Sequence, residues 1–194
     1  MAHSSTVAFS PLRLQERSMS LKVLAIIIGS IVLSASSYIQ VPMIPVPMTM
    51  QTFAVTLIGA LYGWRLGAVA IMAWLIEGAM GLPVLAGGAA GVQHFLGKTG
   101  GYLFAFPAAG ALAGWLAERG WNGHRPVMAF WAMLAGNGLC LVLGASWLAA
   151  MIGWQAAIAF GVTPFVLGGL LKSILAAAIL KAAAFGAAAD PGSP

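Results

Sequence analysis

The chain has 194 residues, of which 61% are hydrophobic and only 7% are charged, whereas an ordinary soluble domain is about one quarter charged. This composition excludes a soluble globular protein and predicts an all-α, polytopic membrane protein. The net charge of +5 does not indicate a nucleic-acid partner, because the basic residues are scattered singly and are not clustered among aromatic residues.

The apolar runs predict six transmembrane helices, because each run is bounded by prolines, glycines or charged residues. A flexible N-terminus is predicted over 1–20, a six-helix membrane domain over 21–186 and a flexible tail over 187–194. Five of the six helices are predicted over about 23–40, 50–62, 102–116, 126–144 and 164–185, and the third follows the turn at 62–67 and ends at about 77.

Three segments between these helices have their own character. Three prolines in Val41–Met48 end the first helix, since proline removes amide donors. A glycine-rich loop, predicted to be extracellular, covers Gly78–Gly101. Trp147–Val162 is apolar but only 16 residues long, which is typical of an interfacial or re-entrant segment, although the pattern also allows a seventh crossing.

The basic residues predict the orientation in the membrane, because they are concentrated in cytoplasmic loops. Seven of them fall before, between or after the predicted helices on one side, and only Lys98 falls on the other. The seven are Arg13, Arg17, Lys22, Arg65, Arg119, Arg125 and Lys181. Both termini are therefore predicted to be cytoplasmic, with the Lys98 loop outside.

The stretch Gly91–Tyr102, GVQHFLGKTGGY, resembles a phosphate-binding loop because it contains Gly-Lys-Thr. That loop requires four residues between its first glycine and the Gly-Lys pair, and here five intervene between Gly91 and Gly97. The only aspartate, Asp190, lies in the predicted tail. Nucleotide binding by this chain is not expected.

Few residues could carry catalysis, since the chain has three histidines, four acids and one cysteine, none at a metal-ligand spacing. We expect no enzymatic activity, no cofactor and no metal, and we interpret Cys140 as a small buried hydrophobe. Glu77 and Lys172 lie near or inside the hydrocarbon, where an ionisable group costs about 2.5 to 3.5 kcal/mol and usually marks a function. For Lys172 the structural alternative is snorkelling to the interface.

Gln93 and His94 lie in the glycine-rich loop, where a solvated role is the more common one. The first helix carries small residues four apart, Ala25 with Gly29 and Ser30 with Ser34. This spacing allows close helix contact, which favours packing within the chain but could also provide a face for a partner membrane protein.

Four stretches, in this order, resemble the BioY family, the substrate-binding subunits of biotin transporters of the energy-coupling factor type. They are VPMTMQTFAVTLIGALYGWRLGAVA, EGAMGLPVLAGGAAG, GKTGGYLFAF and TPFVLGGLLKSILAA. The resemblance implies a six-helix protein of the bacterial cytoplasmic membrane that captures biotin under a glycine-rich extracellular loop. It also implies a transmembrane coupling subunit and cytoplasmic ATPase subunits as partners, with ATP handled only by the latter.

From the residues and this resemblance together we expect substrate binding by a set of polar and charged side chains. The set comprises Thr49, Gln51, Glu77, Gln93, Lys98, Tyr102, Asn137 and Lys172. The resemblance also makes Ala25 and Gly29 candidates for docking to the coupling subunit.

The chain departs from the family pattern at two positions. Lys98 stands where the family commonly has proline, and Gly169 stands where it commonly has an aspartate that helps to hold the ligand. The acceptor for the ureido N–H groups of biotin is then open among Asn137, Gln51, Gln93 and Glu77. Without the motifs, another vitamin, a small channel or a membrane scaffold would explain the sequence equally well.

Overall fold

The computed structural model describes residues 12, 14 and 17–188, so Arg13, most of the predicted N-terminal segment and the tail from 189 lie outside it. Within the described residues the chain is almost entirely helical. Its helices are α1 (Met19–Tyr38), α2 (Gln51–Tyr62), α3 (Trp64–Ala79), α4 (Gln93–Leu96), α5 (Gly100–Glu118), α6 (Pro126–Ile152), α7 (Trp154–Ala157) and α8 (Thr163–Ala188).

Four helical runs in the described chain are long and apolar enough to cross a membrane. They are Met19–Tyr38, Gly100–Glu118, Pro126–Ile152 and Trp154–Phe185. The second and third predicted helices are confirmed as short elements, because α2 has 12 residues and α3 has 16. The chain is therefore an all-α membrane protein in which four elements have spanning length and two are shorter.

The proline-rich segment after α1 is a small hairpin. Strand β1 (Gln40–Val41) pairs antiparallel with β2 (Met48–Thr49), with Gln40 opposite Thr49 and Val41 opposite Met48. The amide of Met50 also donates to the carbonyl of Ile39 (2.9 Å). The prolines lie in the connection, where the missing amides cost no ladder bond. The hairpin thus delivers Thr49 to the start of α2.

The prediction of a separate segment over Trp147–Val162 is wrong. Helix α6 continues to Ile152, and the chain turns at Gly153, whose φ of 83° is accessible to glycine without steric cost. The next helical run starts at Trp154 and continues through α7 and a π-helical turn, Ile158–Val162, into α8. The described residues therefore contain no separate membrane-crossing helix over this stretch.

Helix α8 begins at Thr163, next to the predicted start at Pro164, but a helical run that starts at Trp154 leads directly into it. Proline lacks the amide that would donate to the carbonyl four residues before it. The wide π turn accommodates this interruption, and the hydroxyl of Thr163 donates to the carbonyl of Ile158 (3.0 Å). The helix can therefore pass through Pro164 without ending.

Close backbone contacts hold α2 against α5. A Cβ built on Gly59 would lie 2.0 Å from the carbonyl oxygen of Gly110, so any side chain at that position would force the helices apart. Small residues of this kind allow dispersion contacts between helix backbones. Trp74, Ile71 and Val55 fill the core beside this crossing and are fully buried.

Candidate functional site

A cavity of about 520 Å³ lies between α5, α6, α8, the hairpin and the glycine-rich loop. Its volume is in the range of small-molecule sites, which are mostly apolar with a few placed polar groups. The polar residues in its wall are Thr49, Gln51, Thr52, His94, Thr99, Tyr102, Asn137 and Lys172, and the apolar ones include Leu85, Phe106, Leu134, Leu141, Phe165 and Leu170.

Lys172 is the buried cation of the wall, with only 9% of its surface exposed. Its Nζ donates to the carbonyl of Thr49 (2.6 Å) and to the hydroxyl of Thr52 (3.3 Å). Both partners are neutral, and an ammonium has a third N–H to donate. The described acids are bonded elsewhere, Glu77 with Ser30 and Glu118 with the amide of Trp64. The arrangement therefore leaves a positive charge for an anionic or strongly polar ligand group.

The turn before α2 is fixed by its own side chains. The hydroxyl of Thr49 donates to Oε1 of Gln51 (2.9 Å) and accepts from the backbone amide of Gln51 (3.3 Å). Nε2 of Gln51 donates to the hydroxyl of Ser37 in α1 (2.9 Å), and that hydroxyl donates to the carbonyl of Leu33 (2.9 Å). This chain of bonds holds the Thr49 carbonyl where Lys172 meets it.

Helices α6 and α8 meet through Asn137 and Ser173. Nδ2 of Asn137 donates to the hydroxyl of Ser173 (3.1 Å) and to the carbonyl of Met133 (3.0 Å). The Ser173 hydroxyl donates to the carbonyl of Gly169 (2.7 Å). Because Ser173 follows Lys172 in the chain, this contact also fixes the part of α8 that carries the cation.

Tyr102 contributes an aromatic face. Its hydroxyl donates to the carbonyl of Gly161 in the π turn (3.0 Å), and its ring stacks on Phe165 with centroids 6.2 Å apart and planes at 23°. Tyr102 therefore offers the cavity mainly its ring. Cys140, confirmed as a buried thiol, lies in the same wall and is 1% exposed.

The glycine-rich loop, here Met80–Thr99, covers one side of the cavity. Its first part is held by Tyr38, whose hydroxyl donates to the carbonyl of Pro83 (2.6 Å), and by Trp74, whose indole donates to Val84 (3.0 Å). Its last part is held by the indole of Trp147, which donates to the carbonyl of Gly97 (3.0 Å). Leu85 packs inward and is 2% exposed. The loop is thus anchored at both ends to α1, α3 and α6.

The structure brings Thr49, Gln51, Tyr102, Asn137 and Lys172 together in the cavity wall. It does not bring the other three expected binding residues there. His94, for which a solvated role was the more common expectation, lines the cavity from the loop. Thr52, Thr99 and Phe165 were missed, although the spacing of Phe165, Gly169 and Lys172 places them on one face of α8.

Glu77, Gln93 and Lys98 lie away from the cavity. Glu77 accepts a hydrogen bond from Ser30 in α1, and the exposed amide of Gln93 folds back onto the carbonyl of Ala90 (2.6 Å). Lys98 is exposed on the outer side of the loop and is not among the wall residues. Glu77 precedes the loop on α3 and faces α1, whereas Gln93 and Lys98 lie in the loop with exposed side chains.

The Ala25 and Gly29 face is packed inside the chain, and its docking to a coupling subunit stays a prediction. Ala25 is 7% exposed, and a Cβ on Gly29 would lie 3.1 Å from the ring of Tyr62 and 3.4 Å from the Cβ of Ala70. The alternative expectation, close packing within the chain, is confirmed. Small residues here let α1 approach α2 and α3.

These features define a helical membrane protein with a ligand-sized cavity and a buried cation in its wall. The model of the BioY family matches residues 9–188, and the chain belongs to the BioY family. Its similarity is to proteins named as transporters, so it is a member of a transport family and not an enzyme.

Two curated relatives and one solved structure illustrate this similarity. The probable biotin transporter BioY of Pyrococcus horikoshii is 36% identical over 148 residues, 76% of this chain and 86% of the relative. Biotin transporter BioY2 of Lactococcus lactis subsp. cremoris is 34% identical over 152 residues, 77% and 82% respectively. The crystal structure of the S-component for biotin from an ECF-type ABC transporter matches with a TM-score of 0.69 and 25% identity, over 86% of this chain and 93% of that one.

Proposed function

We propose that this chain captures biotin at the outer face of the bacterial cytoplasmic membrane, as the substrate-binding subunit of an energy-coupling factor transporter. The observation that carries the proposal is the cavity with its single buried cation, in a fold similar to the S-component for biotin. Biotin combines an apolar bicycle and chain with one ureido group and one carboxylate. A mostly apolar wall with a few oriented polar groups suits such a ligand.

Thr49, Gln51, Tyr102, Asn137 and Lys172 support this proposal because they line one cavity. Lys172 supplies the cation, and the bonded turn of Thr49 and Gln51 keeps that cation in place. Lys98 retains a different role in the proposal, since an exposed cation on the outer loop would attract the carboxylate before it enters.

Equilibrium binding of labelled vitamins to the purified protein in detergent tests the substrate. We expect saturable binding of biotin with one site per chain, and competition by unlabelled biotin but not by thiamin or riboflavin. Tight binding of another vitamin would replace biotin in the proposal. Absence of binding to any of them would favour the scaffold or channel alternative.

The proposed topology has six crossings, with both termini in the cytoplasm and the Lys98 loop outside. It is supported by four helices of spanning length and by the seven-to-one distribution of basic residues. Single cysteines at positions 98 and 65, introduced with Cys140→Ala, test it in intact cells. We expect a membrane-impermeant thiol reagent to label position 98 and not position 65. The reverse pattern would invert the topology.

The proposed partners are a transmembrane coupling subunit and cytoplasmic ATPase subunits. The Gly91–Tyr102 stretch supports a division of labour, because its amides are used internally: Gly100 donates to the carbonyl of Gly97 (3.0 Å) and Tyr102 to that of Thr99 (3.1 Å). Amides so engaged do not form the ring that cradles phosphates. We expect energised accumulation to require the other subunits. ATP hydrolysis by the pure chain would contradict this.

A further inference from the structure

Asn137 presents an oriented oxygen to the cavity. The side chain is 7% exposed, and its amide must point its nitrogen toward the carbonyl of Met133, because that oxygen can only accept. Nδ2 then uses its two N–H groups on Met133 and on Ser173. The Asn137 amide therefore has no free donor.

The orientation is enforced a second time by Ser173. Its hydroxyl donates to the carbonyl of Gly169, so its oxygen is left to accept from Asn137 and not to donate to it. No described residue donates a hydrogen bond to Asn137 Oδ1. Every fully buried side-chain nitrogen or oxygen in the described part has a partner. Asn137 Oδ1 is therefore not fully buried. Since Asn137 lines the cavity, Oδ1 must be the atom that meets its contents.

Space is available next to this oxygen. Gly138 and Gly169 both line the cavity, and a Cβ built on either one would meet no atom within 4 Å. The cavity therefore has free space beside Asn137 on α6 and one turn before Ser173 on α8. A planar ring group can approach the amide from this side without moving a helix.

Other acceptors in the wall are already engaged. Oε1 of Gln51 accepts from Thr49, the hydroxyl of Thr52 accepts from Lys172, and the hydroxyl of Tyr102 is turned toward Gly161. Glu77 and Gln93 lie outside the cavity. His94 and Thr99 are the competing acceptors, because both line the cavity from the loop and the Thr99 hydroxyl, which donates to the carbonyl of His94, can still accept.

We propose that Oδ1 of Asn137 accepts a hydrogen bond from a ring N–H of the bound ligand, and that Ser173 is the residue that positions it. The inference rests on the proposed function and assigns the ureido group of biotin to the α6 and α8 wall. A neutral amide that is already oriented makes this bond without burying a second charge. The site then selects ligands with a ring N–H over otherwise identical ligands without one.

The test compares biotin with its two ring N-methyl derivatives, each bound to the wild type and to Asn137→Leu, which has a similar volume. We expect Asn137→Leu to weaken biotin binding by about 5- to 150-fold, the effect of leaving a buried donor unpaired. Its affinity for the derivative that lacks the recognised N–H should be unchanged. Ser173→Ala should reduce the preference for biotin in part, and Ser173→Thr should preserve it.

Leu141→Ala is the matched control, because Leu141 lines the same cavity one turn further along α6. It should weaken biotin and both derivatives alike and keep their ratio. If Asn137→Leu also keeps the ratio, or if His94→Leu removes it instead, the inference is overturned.

The wild-type measurement is decisive even if Asn137→Leu fails to fold, since equal wild-type affinity for biotin and both derivatives rejects the acceptor. A wild-type chain that binds another vitamin but not biotin overturns the proposed function, and this inference with it. Biotin binding without discrimination overturns the inference alone.

Discussion

The two sides of the cavity hold their polar groups in different ways. On the helical side, Lys172 is bonded to residues 120 and 123 positions away in the chain, and Asn137 to one 36 positions away. On the loop side, the hydroxyl of Thr99 is bonded to the carbonyl of His94, only five positions away. Long-range bonds orient the helical groups before a ligand arrives, and such preorganisation lowers the cost of binding.

The loop contributes cover more than recognition. Three of its five wall residues, Leu85, Ala86 and Ala89, are apolar, and the side chains of α1, α3 and α6 that bond to it do so near its two ends. We therefore expect changes on the helical side to alter affinity, and changes in the loop to alter the rates of entry and release. Four substitutions test this comparison, in decreasing order of expected effect.

Lys172→Ala should have the largest effect on binding. A hydrogen bond to a charged group contributes about 1.5 to 3 kcal/mol, so biotin affinity should fall by about 10- to 150-fold. The protein should remain folded, because removing a cation that has no acidic partner also removes the cost of burying it. Equilibrium binding and thermal stability in detergent measure the two quantities.

Lys181→Ala is the control for Lys172→Ala, since Lys181 is an exposed lysine on the same helix. It should leave affinity unchanged. Unchanged affinity in a folded Lys172→Ala variant would remove Lys172 from the site and leave snorkelling as the explanation of its position.

Gly100→Ala should disturb the junction between the loop and α5. Its new Cβ would lie 2.0 Å from the carbonyl oxygen of Phe95, and overpacking of this kind costs about 1 to 3 kcal/mol of stability. Gly169→Ala is the matched change in the helical wall, where the added carbon meets nothing. Melting in detergent should show a lower midpoint for the first variant and no loss for the second. Equal melting midpoints would mean that the loop junction accommodates the added methyl group without losing stability.

Trp147→Phe should release one end of the loop by removing the indole that donates to Gly97. A neutral hydrogen bond contributes about 0.5 to 1.5 kcal/mol, so biotin should dissociate about 2- to 12-fold faster. Trp131→Phe, an exposed tryptophan on the same helix, is the control. Stopped-flow measurements give the association rate and the dissociation rate of biotin separately. A slower association with unchanged dissociation would contradict the role assigned to this tether.

Lys98→Ala should have the smallest effect. Two unit charges 10 Å apart in water interact by about 0.4 kcal/mol, so association should slow by about twofold at low salt. The effect should vanish at high salt, where the Debye length shortens to about 3 Å. Association rates at two ionic strengths test this. A large loss of equilibrium affinity would instead place Lys98 in contact with the ligand.

The helices were predictable where an apolar run is interrupted by a strong signal. Prolines mark the hairpin, and Gly63 separates α2 from α3, whereas Arg65 and Gly67 lie inside α3. The division of Trp147–Val162 was not predictable, because hydropathy is uniform across Gly153 and a π turn has no distinct composition. Helix α6 ends there through a backbone conformation of one glycine, which length and polarity do not encode.

The site was predictable in part for a similar reason. Lys172 is conspicuous because a charge within an apolar helix is costly, and the structure buries it in the cavity wall. Glu77 has the same signal, yet it bonds to Ser30 on another face. The direction of a side chain on a helix follows from its spacing in the sequence. The direction of a side chain in the loop depends on turns such as the one at Gly91, where φ is 98°. In this segment His94 lines the cavity and Gln93 does not.

The open space at Gly138 and Gly169 bears on how such a protein changes over generations. A side chain added at a packed position disturbs the surrounding helices. At these two glycines a single nucleotide change can add a side chain to the wall while the backbone stays in place. Mutations at these positions can therefore change which ligands the protein binds without destabilising its fold. Loss of stability is the usual obstacle to new specificity.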